Sequence, residues 1–345
     1  MVADSEKIVL SGTQRQLTGS RRERLRSLAM IGLSASMVTS IILVASGLFL
    51  LLLTSSLSWL LGHVGTENAT WSEKLYQLIF TGTELGYGVS AIFPAVLGTL
   101  ALVILMTAFV APLGVATALY LTEYARPTWY TKLIRISITN LAGVPAIIYG
   151  VFGLGFFVYG IGGQVDQLFF GDQLPNPTFG TPGLLWAALT MALLNLPVVI
   201  VAVTEGLDAL PGDLREASVA LGATHGETVF KAVLPAAMPS VFTGLILATA
   251  RAAGEVAPLL LVGAVKFAPA LPFSDRLPFI ELEQKFMHVG FQLFDAVLFN
   301  RIGPGDVGWI ASVALILVLL ISILNLFAIA FRAVILGRQE PANPF

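Results

Sequence analysis

Apolar residues gather along this chain in six long runs separated by polar or Gly/Pro-rich stretches. The runs cover about 28–53, 94–122, 136–162, 183–203, 241–265 and 309–331. A hydrocarbon core ~30 Å thick is crossed by about 20 helical residues, so each run has the length of a full span. Backbone polar groups in lipid must be satisfied within the segment itself, which makes each run a helix. The first, Leu28 to Leu53, exceeds the apolar part of a secretory signal and is read as a retained helix. The pattern predicts an all-α membrane protein of six transmembrane helices. A membrane domain over 28–335 is flanked by polar tails at 1–27 and 336–345.

Between the fourth and fifth runs lies a polar insert at 204–240. Asp213 and Glu216 stand at the spacing of an N-cap and its N3 partner, with Pro211 and Gly212 as breakers before them. That helix is expected to reach Leu221 and stop at Gly222. Thr224 and Glu227 repeat the spacing and open a second helix, expected to end before Pro235. Two short capped helices held between spans form a rigid knob, and a rigid knob suits docking.

Charge sets the orientation. The 1–27 tail, the 123–135 link, the 204–240 insert and the residues after 331 fall on one side of a six-span chain and hold 13 of the 19 Lys and Arg residues. The loops 54–93, 163–182 and 266–308 hold five. Positive residues stay cytoplasmic, so the termini and the knob are expected there. Only 12% of the 345 residues are charged, about half the share of a soluble protein, and 56% are hydrophobic. The 33 glycines include Gly143, Gly150, Gly153, Gly155 and Gly160 in the third run, where close helix packing accounts for them.

The one remaining basic residue, Arg251, lies inside the fifth run with Glu255 four residues on. A helix there would put both on one face and let them pair. Charges within a span are costly and face the bundle interior, so each is a functional candidate. Arg251 suits an anion path, because a guanidinium presents fixed donors to an oxyanion. The competing reading is a self-neutralising pair that holds the helix in register.

Glu216, Ala217, Gly222, Leu234 and Pro235 together resemble the EAA loop of ABC-importer permeases, with Ser218 where that family has alanine. The resemblance widens to the stretch from Leu214 to Ala264, and to Asn140–Gly155, Ala111–Ala125 and Ile92–Leu100. These look like the PstA-type permease of the bacterial high-affinity phosphate ABC importer. The run Arg251, Gly254, Glu255, Ala257, Pro258, Leu259 and Leu260 is the most specific part, with Val256 in place of the usual threonine. The resemblance implies a MetI-like permease core in the bacterial inner membrane. It implies that the 204–240 insert couples to a cytoplasmic ATPase homodimer, and that a homologous second permease and a periplasmic phosphate-binding protein complete the transporter.

Other classes of function find little support. The chain has no Gly-x-x-x-x-Gly-Lys phosphate loop, so ATP and Mg²⁺ belong on a partner subunit and no cofactor is expected here. It has no cysteine, and His63, His225 and His288 lack metal spacing, so no metal site and no catalytic residue are assigned. No basic cluster beyond the N-terminal tail suggests nucleic acid; membrane lipid is the surrounding partner. A proton-coupled secondary carrier would show several carboxylates within spans and paired halves, and only Glu255 qualifies. The same machine acting on molybdate or sulfate stays open.

Overall fold

The computed structural model describes residues 36, 39–40, 42–58, 92–173, 175–268, 271–273, 280–299 and 306–337. The start of the first predicted span, both tails and most of the 54–93 loop lie outside the described residues. The helices within them are α1 (Ile42–Ser58), α2 (Ile92–Tyr124) and α3 (Trp129–Leu141). Next come α4 (Ala146–Phe169), α5 (Leu184–Asp208) and α6 (Gly212–Ala220). The last are α7 (His225–Gly254), α8 (Leu259–Val262), α9 (Val289–Phe299) and α10 (Asp306–Gly337). Five of these, α2, α4, α5, α7 and α10, are long and apolar enough to cross a bilayer.

Helix α5 is the axis of the bundle. It is apolar on all sides, as a helix surrounded by other helices must be, and Trp186, Met191, Leu194, Val199 and Leu207 are all buried. Helices α2 and α7 pack along it and against each other, and α10 covers α7 from outside. Two glycines set the approach. A Cβ at Gly114 of α2 would lie 2.7 Å from Val199 Cγ1, and one at Gly206 of α5 would lie 2.1 Å from Ser240 Cβ on α7. Close backbone contact of this kind replaces the hydrophobic drive that lipid does not supply.

The third span begins later than its hydropathy suggests. Residues 129–141 form a separate helix, and the span itself starts at Ala146 after Pro145. Proline disfavours helical backbone at the residue before it, here Val144, so one helix cannot run through. Helix α3 carries Thr131, Lys132, Arg135 and Thr139, too polar a set to sit among acyl chains. Helix α4 then continues to Phe169, into what reads as a link. Of the glycines in this region, Gly150 and Gly153 do abut Pro258 and Thr190, whereas a Cβ at Gly155 would have nothing within 4 Å.

The segments beyond the spans fasten their ends. Asp166, buried near the end of α4, accepts hydrogen bonds from the Phe179 and Gly180 N–H groups at 2.8 and 2.6 Å. Residues 280–289 cap the start of α5, where Leu184 N–H donates to Gln284 O at 2.9 Å and Leu185 N–H to Leu282 O at 2.8 Å. Val289 N–H donates to Thr99 Oγ1 of α2 at 3.1 Å. Two first-turn donors of the central helix, Leu184 and Leu185, which have no intrahelical acceptor, are thereby satisfied.

Candidate coupling knob and span-end arginine

The knob forms, by different local means from those its sequence suggests. Helix α6 starts at Gly212 with Pro211 at the N-cap and no side-chain cap. Asp213 therefore lies within the first turn and closes no capping box with Glu216. Proline at this point supplies the fixed φ instead. The other end matches the expected pattern. Gly222 takes φ +87°, its N–H donates to Val219 O at 2.9 Å, and Ala223 N–H donates to Ser218 O at 3.2 Å. This is a Schellman ending, in which only glycine adopts the left-handed backbone without strain.

Thr224 then caps α7 through a complete capping box. Glu227 N–H donates to Thr224 Oγ1 at 3.3 Å, and Thr224 N–H donates to Glu227 Oε2 at 3.1 Å. The helix it opens does not stop before Pro235. One wide turn at Val229–Val233 carries it on to Gly254. In a regular helix the Lys231 carbonyl would meet the Pro235 ring; the wider turn moves that carbonyl aside. Leu234 and Pro235 consequently belong to the span, half-buried, with Leu234 packed on the core.

Helix α6 buries none of its residues. Glu216, Ala217 and Val219 are exposed, Leu221 is 90% exposed, and Phe230 on α7 is 62% exposed. The knob thus presents apolar side chains and the Glu216 carboxylate to its surroundings.

One residue that the sequence pattern does not single out ties α6 down. Arg215 donates from Nη2 to Glu123 Oε1 at 2.6 Å and from Nε to both carboxylate oxygens at 3.2 Å. Its Nη2 and Nη1 also reach Leu207 O in the last turn of α5 at 3.1 Å and Leu210 O in the link after it at 3.4 Å. The Glu123 side chain is 6% exposed and that of Arg215 30%. Removing one member of a buried pair costs about 3–5 kcal/mol, and the partly open arginine places this pair at the lower end. The hydrogen bond to Glu123 raises the Arg215 pKa further, so the charge is fixed. Ser218 adds a second tie, its Oγ 2.9 Å from Thr228 Oγ1 on α7. Tyr124 of α2 meets His225 edge-to-face at 4.9 Å.

At the far end of α7 the fifth span ends eleven residues earlier than predicted. The helix stops at Gly254, and Glu255 is extended at φ −84° and ψ 132°. Arg251 and Glu255 are thus on different backbone geometries, and no salt bridge joins them. Arg251 is half-buried in the last helical turn, where the partial negative charge of the helix end favours a cation. No hydrogen bond or ion pair to it comes from the described residues. From His225 to Arg251 is about 39 Å of helix at 1.5 Å per residue, long enough to reach from one side of a bilayer core to the other.

Among the described residues no group of three or more His, Cys, Asp or Glu side chains could hold a metal ion. His288 is fully buried, with Nδ1 accepting from Gly290 N–H at 3.1 Å.

Residues 110–340 match the family described as the inner membrane component of binding-protein-dependent transport systems. The chain is similar to the probable ABC transporter permease YqgH of Bacillus subtilis, at 32% identity over 78% of this chain and 80% of that one. It is similar to the phosphate transport permease PstA 1 of Mycobacterium tuberculosis, at 33% identity over 50% of each, so this match spans about half the relative's length. The phosphate transport permease PstC of Pasteurella multocida matches at 31% identity over 66% of this chain and 72% of that one.

Proposed function

Since this chain belongs to the family of inner membrane components of binding-protein-dependent transport systems, we propose that it lines part of a path for inorganic phosphate and links that path to an ATPase. The observation that carries this reading is α7 itself. One continuous helix bears the exposed knob at its start and, in its last turn, Arg251, which has no carboxylate partner among the described residues. A guanidinium free of a carboxylate partner offers its donors to a tetrahedral oxyanion as it passes. Phosphate is favoured because two of the similar permeases are named for phosphate transport.

In this reading the cytoplasmic ATPase homodimer seats α6 and the first turn of α7, using Glu216, Ala217, Leu221 and Gly222. A homologous second permease completes the path, and a periplasmic binding protein delivers phosphate to the Arg251 end. Both termini are cytoplasmic. Closure of the ATPase rotates the knob and opens the path alternately to either side. The chain performs no catalysis and binds no cofactor; ATP and Mg²⁺ act in the partner. Sulfate and molybdate share the tetrahedral chemistry, and selection among them falls mainly to the binding protein.

The test is uptake of radiolabelled phosphate by proteoliposomes holding this chain with a homologous permease, an ATPase and a phosphate-binding protein. Accumulation that needs ATP and withstands excess sulfate and molybdate is expected. Accumulation abolished by sulfate or molybdate would reassign the substrate.

A further inference from the structure

Helix α6 has no buried residue of its own, yet it must move with the spans if it is to drive them. Covalently it is joined to α7 through the turn at Leu221–Thr224 and to α5 through Ala209–Pro211. Neither connection reaches α2, the other helix that packs along α5. The Glu123–Arg215 pair does. Glu123 sits in the wide terminal turn of α2, Tyr120–Tyr124, and its carboxylate is nearly enclosed. Arg215 grips it with two nitrogens, and also holds Leu207 O at the end of α5 and Leu210 O in the link that follows. A single side chain therefore joins three elements: α6, α5 and α2.

We infer that Glu123 and Arg215 form a strut that makes α2, α5 and the knob move as one body, so that force on α6 reaches the bundle through α2 as well as through α7. The inference rests on the coupling role proposed above. A planar fork bound at several points resists rotation as well as separation, which a single point contact does not. The wide turn in α2 is suited to the task, because such turns place a side chain where a regular helix would not. Both are positioning residues: neither meets the transported ion.

The chain contains no cysteine, so a pair of spin labels can be introduced without removing any native residue. Labels at Asp213 in α6 and Ala116 in α2, both exposed, report the distance across the strut in the assembled transporter. With Glu123 intact, that distance is expected to stay single and narrow with and without ATP. With Glu123→Gln it is expected to broaden, and phosphate moved per ATP hydrolysed is expected to fall about tenfold, the loss of one charge-assisted hydrogen bond. Should Glu123→Gln fail to assemble, Arg215→Lys keeps the charge and removes the fork, and the same readings apply.

A distance that remains narrow, with the transport-to-hydrolysis ratio unchanged, would overturn the strut. If the unsubstituted transporter moves no phosphate, the proposed substrate fails, while the label distances still judge the strut.

Discussion

Arg251 and Glu255 stand four residues apart and do not pair, because the helix that carries Arg251 ends at Gly254 between them. Glu255 leaves in an extended conformation, and among the described residues no carboxylate pairs with the guanidinium. A structural register role for the pair has no contact to act through, and the two side chains are free to serve separately.

Arg251→Gln is therefore expected to lower phosphate uptake by about 10- to 100-fold, the loss of a charge-assisted contact to an anion. Assembly, followed by size-exclusion chromatography in detergent, should be unaffected. Combined with Glu255→Gln the effects should add to within about 0.5 kcal/mol, as they do for sites that do not interact. A large coupling energy between them would mean that they pair during the cycle.

Ser218 and Thr228 join the two helices of the knob by one hydrogen bond of 2.9 Å. Ser218→Ala and Thr228→Val should each cost about 1 kcal/mol, and the double variant little more than either alone. Thermal unfolding of the four proteins in the same detergent measures the cycle. Equal sums would show that the contact does not hold in solution.

Asp166 closes the loop after α4 by accepting two backbone N–H groups. Asp166→Asn replaces an acceptor with a donor and should destabilise by about 1.5–3 kcal/mol, the worth of hydrogen bonds to a charged group. Limited proteolysis at 170–182 should then quicken, with the rest of the digestion pattern unchanged.

Burial holds the His288 imidazole neutral, pushing its pKa from 6.5 down to about 4. The unfolded chain takes up the proton first as pH falls, so stability is full above about pH 6.5 and is lost progressively toward pH 4. The thermal midpoint should fall across that window, and His288→Gln should flatten the decline. An unchanged slope in the variant would place the sensitivity elsewhere.

The spans and the glycine-ended knob are legible in the sequence because hydropathy and left-handed backbone leave strong marks. Gly222 could be placed at a helix end from its neighbours alone. The ends of helices are less legible. Pro145 divides the third apolar run, whereas Pro235 does not divide α7, because the wide turn at Val229–Val233 moves aside the carbonyl its ring would meet. Asp213 and Glu216 have cap spacing, yet with Pro211 at the N-cap the helix starts two residues too early for them to use it. The Glu123–Arg215 contact joins residues 92 positions apart, a separation that no local pattern reports. Its one sequence signal was a carboxylate at the end of an apolar run facing an arginine in the insert.

The most direct measurement compares ATP hydrolysis and phosphate accumulation in proteoliposomes holding Gly222→Leu with those of the unsubstituted chain. A side chain at φ +87° costs about 1–2 kcal/mol and displaces the turn between the two knob helices. The protein is expected to insert and assemble, hydrolysis to continue, and phosphate accumulated per ATP to fall about tenfold. Accumulation per ATP equal to that of the unsubstituted chain would contradict coupling through the knob.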